Sequence, residues 1–459
     1  MQNSKKSLQT ATLIVATLGA FLTPFMGSSI NVALPAIAKE FSMNALLLSW
    51  IPTSYLLSSA VFLLPFGKLS DIYGKRRIFK WGIIIYTIFS FLTGIANSSK
   101  LLLIFRLLHG IGGAMIFGTS VALVTSVFGA GERGRALGIT TASTYIGLSA
   151  GPFIGGILTQ HTGWRSIFFF NALLGLVTLS VLLWKLKGIE VETGKEKFDM
   201  KGSIIYGTFI ISFMLGFSYV SKMGGILLII LSAFLFLIFL KLEEREENPM
   251  LNIGLFKNNR AFSFSNIATF IHYSASYSAG FLLSLYLQFI KGLDARTAGL
   301  ILMARPVMMA IFSPFTGRAS DKIEPRILAS SGMGLTAFCF FLFIFLKEGT
   351  SIYFVLFNLL LHGIGFALFA SPNTNAVMSS VEKKNYGIAS ATLATMRLTG
   401  QMFSMGIATL VISAIAGREK ITSATLHLLM KSIKISMGIS TVLCTAGIFA
   451  SLARGNIRE

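Results

Sequence analysis

Apolar residues in this chain fall into long runs broken by short polar stretches. About fourteen runs are long enough to cross a bilayer as helices, near 11–37, 46–66, 78–97, 101–128, 136–159, 166–186, 201–220, 224–241, 261–288, 298–316, 327–346, 351–378, 387–416 and 434–453. A hydrocarbon core takes about 20 apolar residues in helical form. The short connections predict consecutive antiparallel helices. The two runs within 201–241 are short and fit one re-entrant hairpin nearly as well as two spans.

Composition agrees with that pattern. The chain of 459 residues is 54% hydrophobic and 12% charged, with a mean hydropathy of +0.74. Soluble domains carry about 25% charged residues. The net charge of +21 does not point to nucleic acid, because the basic residues are scattered between apolar runs rather than gathered on one surface. It fits a positive-inside membrane protein facing anionic lipid. Cys339 and Cys444 both sit in apolar runs and suggest neither a disulfide framework nor a zinc site. Lys5 and Lys6 precede a run of about 25 residues, too long for a signal-peptide core, so it reads as a retained first span.

Charge also assigns sides. The basic stretches at 67–80, 185–201, 241–260 and 317–326 fall in alternate loops. Loops on the other side are short and poor in basic residues, with Lys100, Lys222 and Lys347. The last, 417–433, is the exception: it carries Arg418, Lys420 and Lys431 and a short amphipathic piece. Both termini are therefore expected in the cytoplasm of a multi-pass cell-membrane protein. Twelve spans would give the same sidedness as fourteen.

The string LLHGIG occurs at Leu107–Gly112 and again at Leu360–Gly365, 253 positions on. GKLSD (67–71) and GRASD (317–321) are 250 apart, and GITTAS (138–143) and GIASAT (387–392) are 249 apart. Three similar strings in one order at nearly one offset indicate a duplication. The expected organisation is a six-helix bundle over 1–190, a linker with an inserted helix pair over 191–245, and a second six-helix bundle over 246–459. Duplicated bundles of this kind belong to transporters whose substrate site lies between the halves.

The motifs carry a resemblance. GKLSDIYGKRR, with Gly67, Leu69, Asp71, Gly74, Lys75, Arg76 and Arg77, resembles the signature between spans 2 and 3 of the major facilitator superfamily. RLLHGIGGA, with Arg106, Gly110 and Gly112, resembles its span 4 motif. GLSAGPFIGG, with Gly147, Gly151, Pro152, Gly155 and Gly156, resembles the span 5 motif of its antiporter branches. WRSIFFFN (164–171), FDMKG (198–202) and YLQFIKG (286–292) are similar to strings of the fourteen-span drug:proton antiporter branch. The resemblance implies an all-α membrane fold of two six-helix bundles plus two inserted helices. It also implies a secondary active exporter of small molecules such as bulky amphipathic drugs, coupled to an ion, with H+ expected. No cofactor is implied, no enzymatic activity, and a monomer in the lipid bilayer.

Physical arguments attach roles to the motif residues. Asp71, in a tight glycine-flanked turn, can pair with Arg133 or face a helix N-terminus of the other half near Gly387, forming a conformational latch. Gly147, Gly151 and Gly155 recur on one helix face and admit a close neighbour. Pro152 favours a bend, expected to seal one end of the pathway. The second half has Gln401 where the offset places Pro152.

Arg106, Arg305 and Arg397 lie within spans, and an intramembrane charge should face the protein interior. All 18 Asp and Glu residues fall in loops or near span ends. Members of the fourteen-span branch carry an Asp a few residues before NVALP; here that position is Met26. Proton coupling through span 1 and a preference for cations are therefore not expected from that residue. His109, His272 and His362 are alternative proton carriers, although a lone His in an apolar helix is more often structural. No second ligand stands at helical spacing from either LLHGIG histidine, which argues against metal. Polar and aromatic residues expected along the substrate path are Ser28, Ser29, Asn31, Trp50, Tyr55, Ser58, Tyr145, Tyr273, Tyr277, Tyr286, Gln288, Asn373 and Asn375. The alternatives to drug efflux are export of neutral or anionic metabolites with atypical coupling, and a non-transporting membrane sensor.

Overall fold

The structure is a computed structural model that describes residues 2–128, 132–185, 198–220, 222–247, 249–382, 386–417, 419 and 421–456. All regular elements among these residues are helical. The first six are α1 (Gln2–Phe41), α2 (Ala45–Tyr73), α3 (Lys75–Gly94), α4 (Ser99–Val127), α5 (Arg133–Thr162) and α6 (Arg165–Lys185). The pair α7 (Met200–Ser218) and α8 (Met223–Glu243) and a short α9 (Ile253–Asn258) follow. Then come α10 (Arg260–Ser276), α11 (Ser278–Leu285) with a π-helical turn at Tyr286–Ile290, α12 (Ala295–Leu302) and α13 (Ala304–Ala319). The chain ends with α14 (Pro325–Ile344), α15 (Ile352–Ser379), α16 (Tyr386–Ile415) and α17 (Leu426–Ala453).

Eleven segments of the described residues are long and apolar enough to cross a membrane. Three further stretches run beside them without meeting that measure. Helix α3 begins on Lys75, Arg76 and Arg77; α5 is dense in Gly, Ser and Thr; and the stretch from α10 to Ile290 is broken at Tyr277 and ends in a π turn. The near face is defined here as the one where α1 begins, the far face as the one where it ends.

Glycines set how closely the helices approach. A Cβ on Gly82 of α3 would stand 3.3 Å from the Gly112 carbonyl oxygen of α4, and one on Gly332 of α14 would stand 2.6 Å from the Gly365 carbonyl oxygen of α15. Likewise Gly110 rests on the Tyr55 carbonyl of α2, and Gly363 on the Arg305 carbonyl of α13. The two LLHGIG copies thus make the same pair of backbone contacts in each half. Helix α1 packs along α5 as α10 packs along α16, and α3 lies on α6 as α14 lies on α17. The glycines permit close packing where lipid gives no hydrophobic drive for association.

Helices α7 and α8 pack on each other, and α7 leans on α2 and α16. Tyr206 of α7 donates to the Ala60 carbonyl at 3.1 Å, and Ser413 of α16 donates to the Ser218 carbonyl at 3.1 Å. At the far face a clamp joins α1 to α6. Glu40 accepts two bonds of 2.6 Å from the Arg165 guanidinium and one of 2.7 Å from the Trp164 indole. This bidentate geometry is the strong form of a carboxylate–arginine pair.

Candidate functional site between the halves

The halves meet at the far face through backbone. A Cβ on Gly156 of α5 would stand 2.6 Å from the Ala295 carbonyl oxygen and 3.1 Å from the Arg296 Cα. Gly299 of α12 rests in turn on the Pro152 carbonyl. The three glycines Gly147, Gly151 and Gly155 look the other way, onto Phe21, Phe25, Ser28 and Ser29 of α1, within the first half. Two faces of one helix therefore have separate duties: one builds the bundle, the other meets its counterpart.

Further bonds cross the far side. Ser284 donates to the Asn31 carbonyl at 2.6 Å, and Gln288 donates to the Val32 carbonyl at 3.1 Å. The Ser49 and Thr409 hydroxyls lie 3.0 Å apart. The Asn31 side chain bonds back to the Gly27 carbonyl of its own helix, and the Tyr277 hydroxyl would stand 3.5 Å from a Cβ on Gly27. Just outside this seam lies a cavity of about 700 Å³ lined by Lys39, Thr159, Gln160, Gln288, Asp294 and Thr422, among others.

The near side is different. Among the described residues, a Cβ on Gly67, Gly74, Gly134, Gly138 or Gly387 would meet no atom within 4 Å outside its own stretch of helix or its chain neighbours. Asp71 pairs with Lys75 at 3.8 Å, one turn on. The side chain of Arg133, its other expected partner, lies outside the described residues. Gly74 ends α2 and starts α3 at φ 94°, a backbone shape that favours glycine. Arg76 and Arg77 follow it in the first turn of α3.

Between the two faces, the first half holds a buried arginine and the second half two half-buried ones. In the first half Arg106 is 1% exposed. Its Nε donates to the Ile51 carbonyl at 3.2 Å, its Nη1 lies 3.2 Å from His109 Nδ1, and its guanidinium covers the Tyr55 ring at 4.6 Å. His109 is itself held between Tyr55 and Tyr86, and the Tyr86 hydroxyl donates to the Leu22 carbonyl at 3.0 Å while accepting from Asn171 at 3.1 Å. This network lies inside the first bundle, with no carboxylate in it.

In the second half Arg305 donates to the Ser276 carbonyl at 3.1 Å and lies over the Phe366 ring at 5.1 Å. Arg397 donates to the Thr374 hydroxyl at 2.6 Å and lies 5.9 Å from the Tyr273 ring centre. Tyr145 and Leu148 of α5 pack into the same cluster as Tyr273. Tyr145, Tyr273 and Arg397 thus gather where the halves face each other. His272 stacks on Phe366 and Phe369 nearby.

Other expected path residues are placed elsewhere. Tyr286 is fully buried in the second half and donates to the Lys347 carbonyl at 2.8 Å. Asn373 is buried and bonds to the Ser265 carbonyl and the Thr269 hydroxyl of α10. Asn375 reaches Ser320 and Asp321 at the near face. Trp50 packs half-buried on the main core. Met26 is 1% exposed and its sulfur lies 4.0 Å from the Ser29 hydroxyl, inside the first half.

One carboxylate escaped the reading of the sequence. Glu243 closes α8, is 2% exposed, and accepts the Leu251 N–H at 2.8 Å. It pins the segment leading into the second half to the foot of the inserted pair. Its place at the polar edge of an apolar run gave no sign of burial.

Comparison with known proteins adds to this geometry. The sequence profile described as Major Facilitator Superfamily matches residues 16–263 and 266–455. The riboflavin transporter RibZ of Clostridioides difficile (strain 630) is 30% identical over 397 residues, covering 86% of each chain. The multidrug resistance protein Stp of Mycobacterium tuberculosis (strain CDC 1551 / Oshkosh) is 31% identical over 416 residues, covering 88% of this chain and 76% of that protein. Among solved structures, an inward-facing, unoccupied bacterial homolog of the human lysosomal transporter Spinster superposes with a TM-score of 0.71 at 16% identity, covering 99% and 98% of the two chains.

Proposed function

We propose that this chain, which belongs to the Major Facilitator Superfamily and is a multi-pass membrane transporter, exports bulky amphipathic compounds that are neutral or anionic. Alternating access between the two halves would carry them, and an ion gradient, with H+ as the coupling ion, would drive them. The observation behind the substrate class is the interior itself. Arg106, Arg305 and Arg397 stand among tyrosine and phenylalanine rings, and position 26 holds a methionine instead of a carboxylate. Cationic drugs would find no opposite charge in such a centre, whereas rings with an acidic or carbonyl group would find donors. Relatives are named for riboflavin, for multidrug resistance and for cephamycin export, and this chain is taken to handle ring compounds of comparable size.

The basic loops lie at the near face, so positive-inside placement makes that face cytoplasmic. On this reading the chain crosses fourteen times, counting α3, α5 and the α10–Ile290 stretch, and the closed far seam faces outward. The ion gradient supplies about 2.3 kcal/mol per elementary charge per 100 mV.

The test is transport in sealed vesicles with an aromatic carboxylate, a neutral dye and ethidium as probes, with and without a pH gradient. Gradient-dependent movement of the first two and not of ethidium is expected. Movement of ethidium alone would overturn the substrate class, and binding without flux of any probe would indicate a sensor.

A further inference from the structure

The duplication lets Arg106 and Arg305 be compared position by position. Arg305 stands where Tyr55 stands in the first half, because both backbones receive the corresponding glycine, Gly363 and Gly110. Arg106 in turn has Leu359 as its counterpart. The arginine has therefore moved from one helix of the pair to the other, and its surroundings have changed with it.

In the first half the guanidinium is satisfied by the chain. Arg106 has a carbonyl, an imidazole nitrogen and a ring face, and is 1% exposed. In the second half the chain supplies less. Arg305 has the Ser276 carbonyl on Nη1, but its buried Nε has no partner among the described residues. His272, one turn before Ser276 on the same helix face, is 0% exposed and neither ring nitrogen has a partner. His362, next to the Gly363 that touches Arg305, is also 0% exposed with both nitrogens unpartnered. Arg305 and His272 share the ring of Phe366, at 5.1 and 4.9 Å, and Phe369 and Phe340 wall the histidines at 4.1 and 4.8 Å.

A guanidinium offers only donors, and each imidazole always keeps at least one N–H to give. Buried donors without acceptors are costly, and native proteins almost always pair them. Among the described residues Arg305 forms no ion pair with a carboxylate; the charged or polar groups near it are Tyr273, Cys339, Cys444, His272 and His362. Arg305 is itself half-buried, while both histidines are fully buried.

We infer that Arg305, His272 and His362 form a binding site for a monovalent anion in the second half, walled by Phe366 and Phe369. The anion is either a small inorganic ion or the acidic group of an aromatic substrate, and the shared chemistry is one negative charge taking N–H donors beside aromatic rings. The site deepens the proposed substrate class and rests on it only for the second source.

Anion binding can be read without transport. The Tm of the purified full chain in detergent is followed against sodium chloride and, separately, sodium 2-naphthoate, with sodium gluconate holding ionic strength constant. A saturable rise of Tm is expected with one of the two anions or both. A rise with chloride identifies an inorganic ion, and a rise with naphthoate alone identifies the acidic group of a substrate. The rise should vanish in Arg305→Gln and need at least about tenfold more anion in His272→Phe, which keeps a ring in the wall; tenfold corresponds to about 1.4 kcal/mol. Should Arg305→Gln fail to fold, His272→Phe and His362→Phe carry the comparison. No rise in the wild type, or an unchanged midpoint in the variants, would overturn the site. The outcome separates from that of the transport reading: a saturable, variant-sensitive rise with no vesicle flux keeps the site and removes the transporter's substrate class. Flux of the aromatic carboxylate that is unchanged in both variants does the reverse.

Discussion

Gly156 and Ala295 touch backbone to backbone across the two halves, with the Ala295 carbonyl oxygen 2.6 Å from where a side chain on Gly156 would begin. Neighbouring Gly155 meets its own half first, where a Cβ would stand 2.7 Å from Ser29 Cβ and 3.0 Å from its Cα. Adjacent glycines should therefore fail differently. Gly156→Ala should part the far seam and favour the state open on that side. A cysteine introduced at Ser284, fully buried where it bonds to the Asn31 carbonyl across the seam, should then react several-fold faster with an impermeant thiol reagent. Gly155→Ala should instead lower Tm and leave the labelling rate near that of the parent. Equal labelling in both would remove the seam from the gate.

The two LLHGIG copies make equivalent contacts, but not equally tight ones. A Cβ on Gly112 would stand 2.5 Å from the Tyr86 backbone nitrogen and 2.8 Å from its Cα, atoms that cannot move without shifting α3. On Gly365 the nearest atom is the Thr336 hydroxyl at 2.9 Å, which can rotate away, with backbone at 3.1 Å. Gly112→Ala should therefore destabilise more than Gly365→Ala, with about 1–3 kcal/mol typical of overpacking at the first site. Thermal unfolding of both variants in one detergent measures the order. The reverse order would mean that α3 yields more readily than its contacts imply.

How far the chain could be read in advance depended on what each feature needed. The duplication and the helix packing were legible because LLHGIG, GKLSD and their copies sit at nearly one spacing, and glycine at a close helix crossing has one physical meaning. The Arg165 clamp was not, since WRSIFFFN shows an arginine but nothing in the sequence points to Glu40, 125 positions away. Tyr286 and Asn373 read as path residues by chemistry alone; the structure turns both toward partners inside the second half. A polar side chain in a span must satisfy its hydrogen bonds somewhere, and the sequence does not say whether the partner is substrate or a neighbouring helix. The methionine at position 26 was legible because reading it needs no partner to be found.

Arg106 tests whether the first-half network is structural. Its guanidinium spans the Ile51 carbonyl, His109 and the Tyr55 face at once. A lysine cannot reproduce a planar group that both donates sideways and covers a ring. Arg106→Lys should therefore lower Tm almost as much as Arg106→Gln, each losing about 1–3 kcal/mol of buried hydrogen bonding. If Arg106→Lys keeps the parental Tm while flux falls, the charge acts on substrate rather than on the bundle.

Asp71 lies at the face opposite the Gly156 seam, and its substitution should push the equilibrium the opposite way. The near-face glycines around it have open space in this conformation, so a latch through Asp71 would engage when the near face closes. Asp71→Asn keeps the size and removes the charge. It should weaken the near-closed state, cut flux by at least about tenfold and leave Tm within a degree or two, since exposed ion pairs such as Asp71–Lys75 contribute about 0–1 kcal/mol. The cysteine at position 284 should react more slowly in this variant, because the far side opens less often. Combining Asp71→Asn with Gly156→Ala should then bring labelling back toward the parental rate, as two opposed biases on one two-state equilibrium must. Labelling that simply follows Gly156→Ala, whatever stands at position 71, would show that Asp71 has no part in that equilibrium.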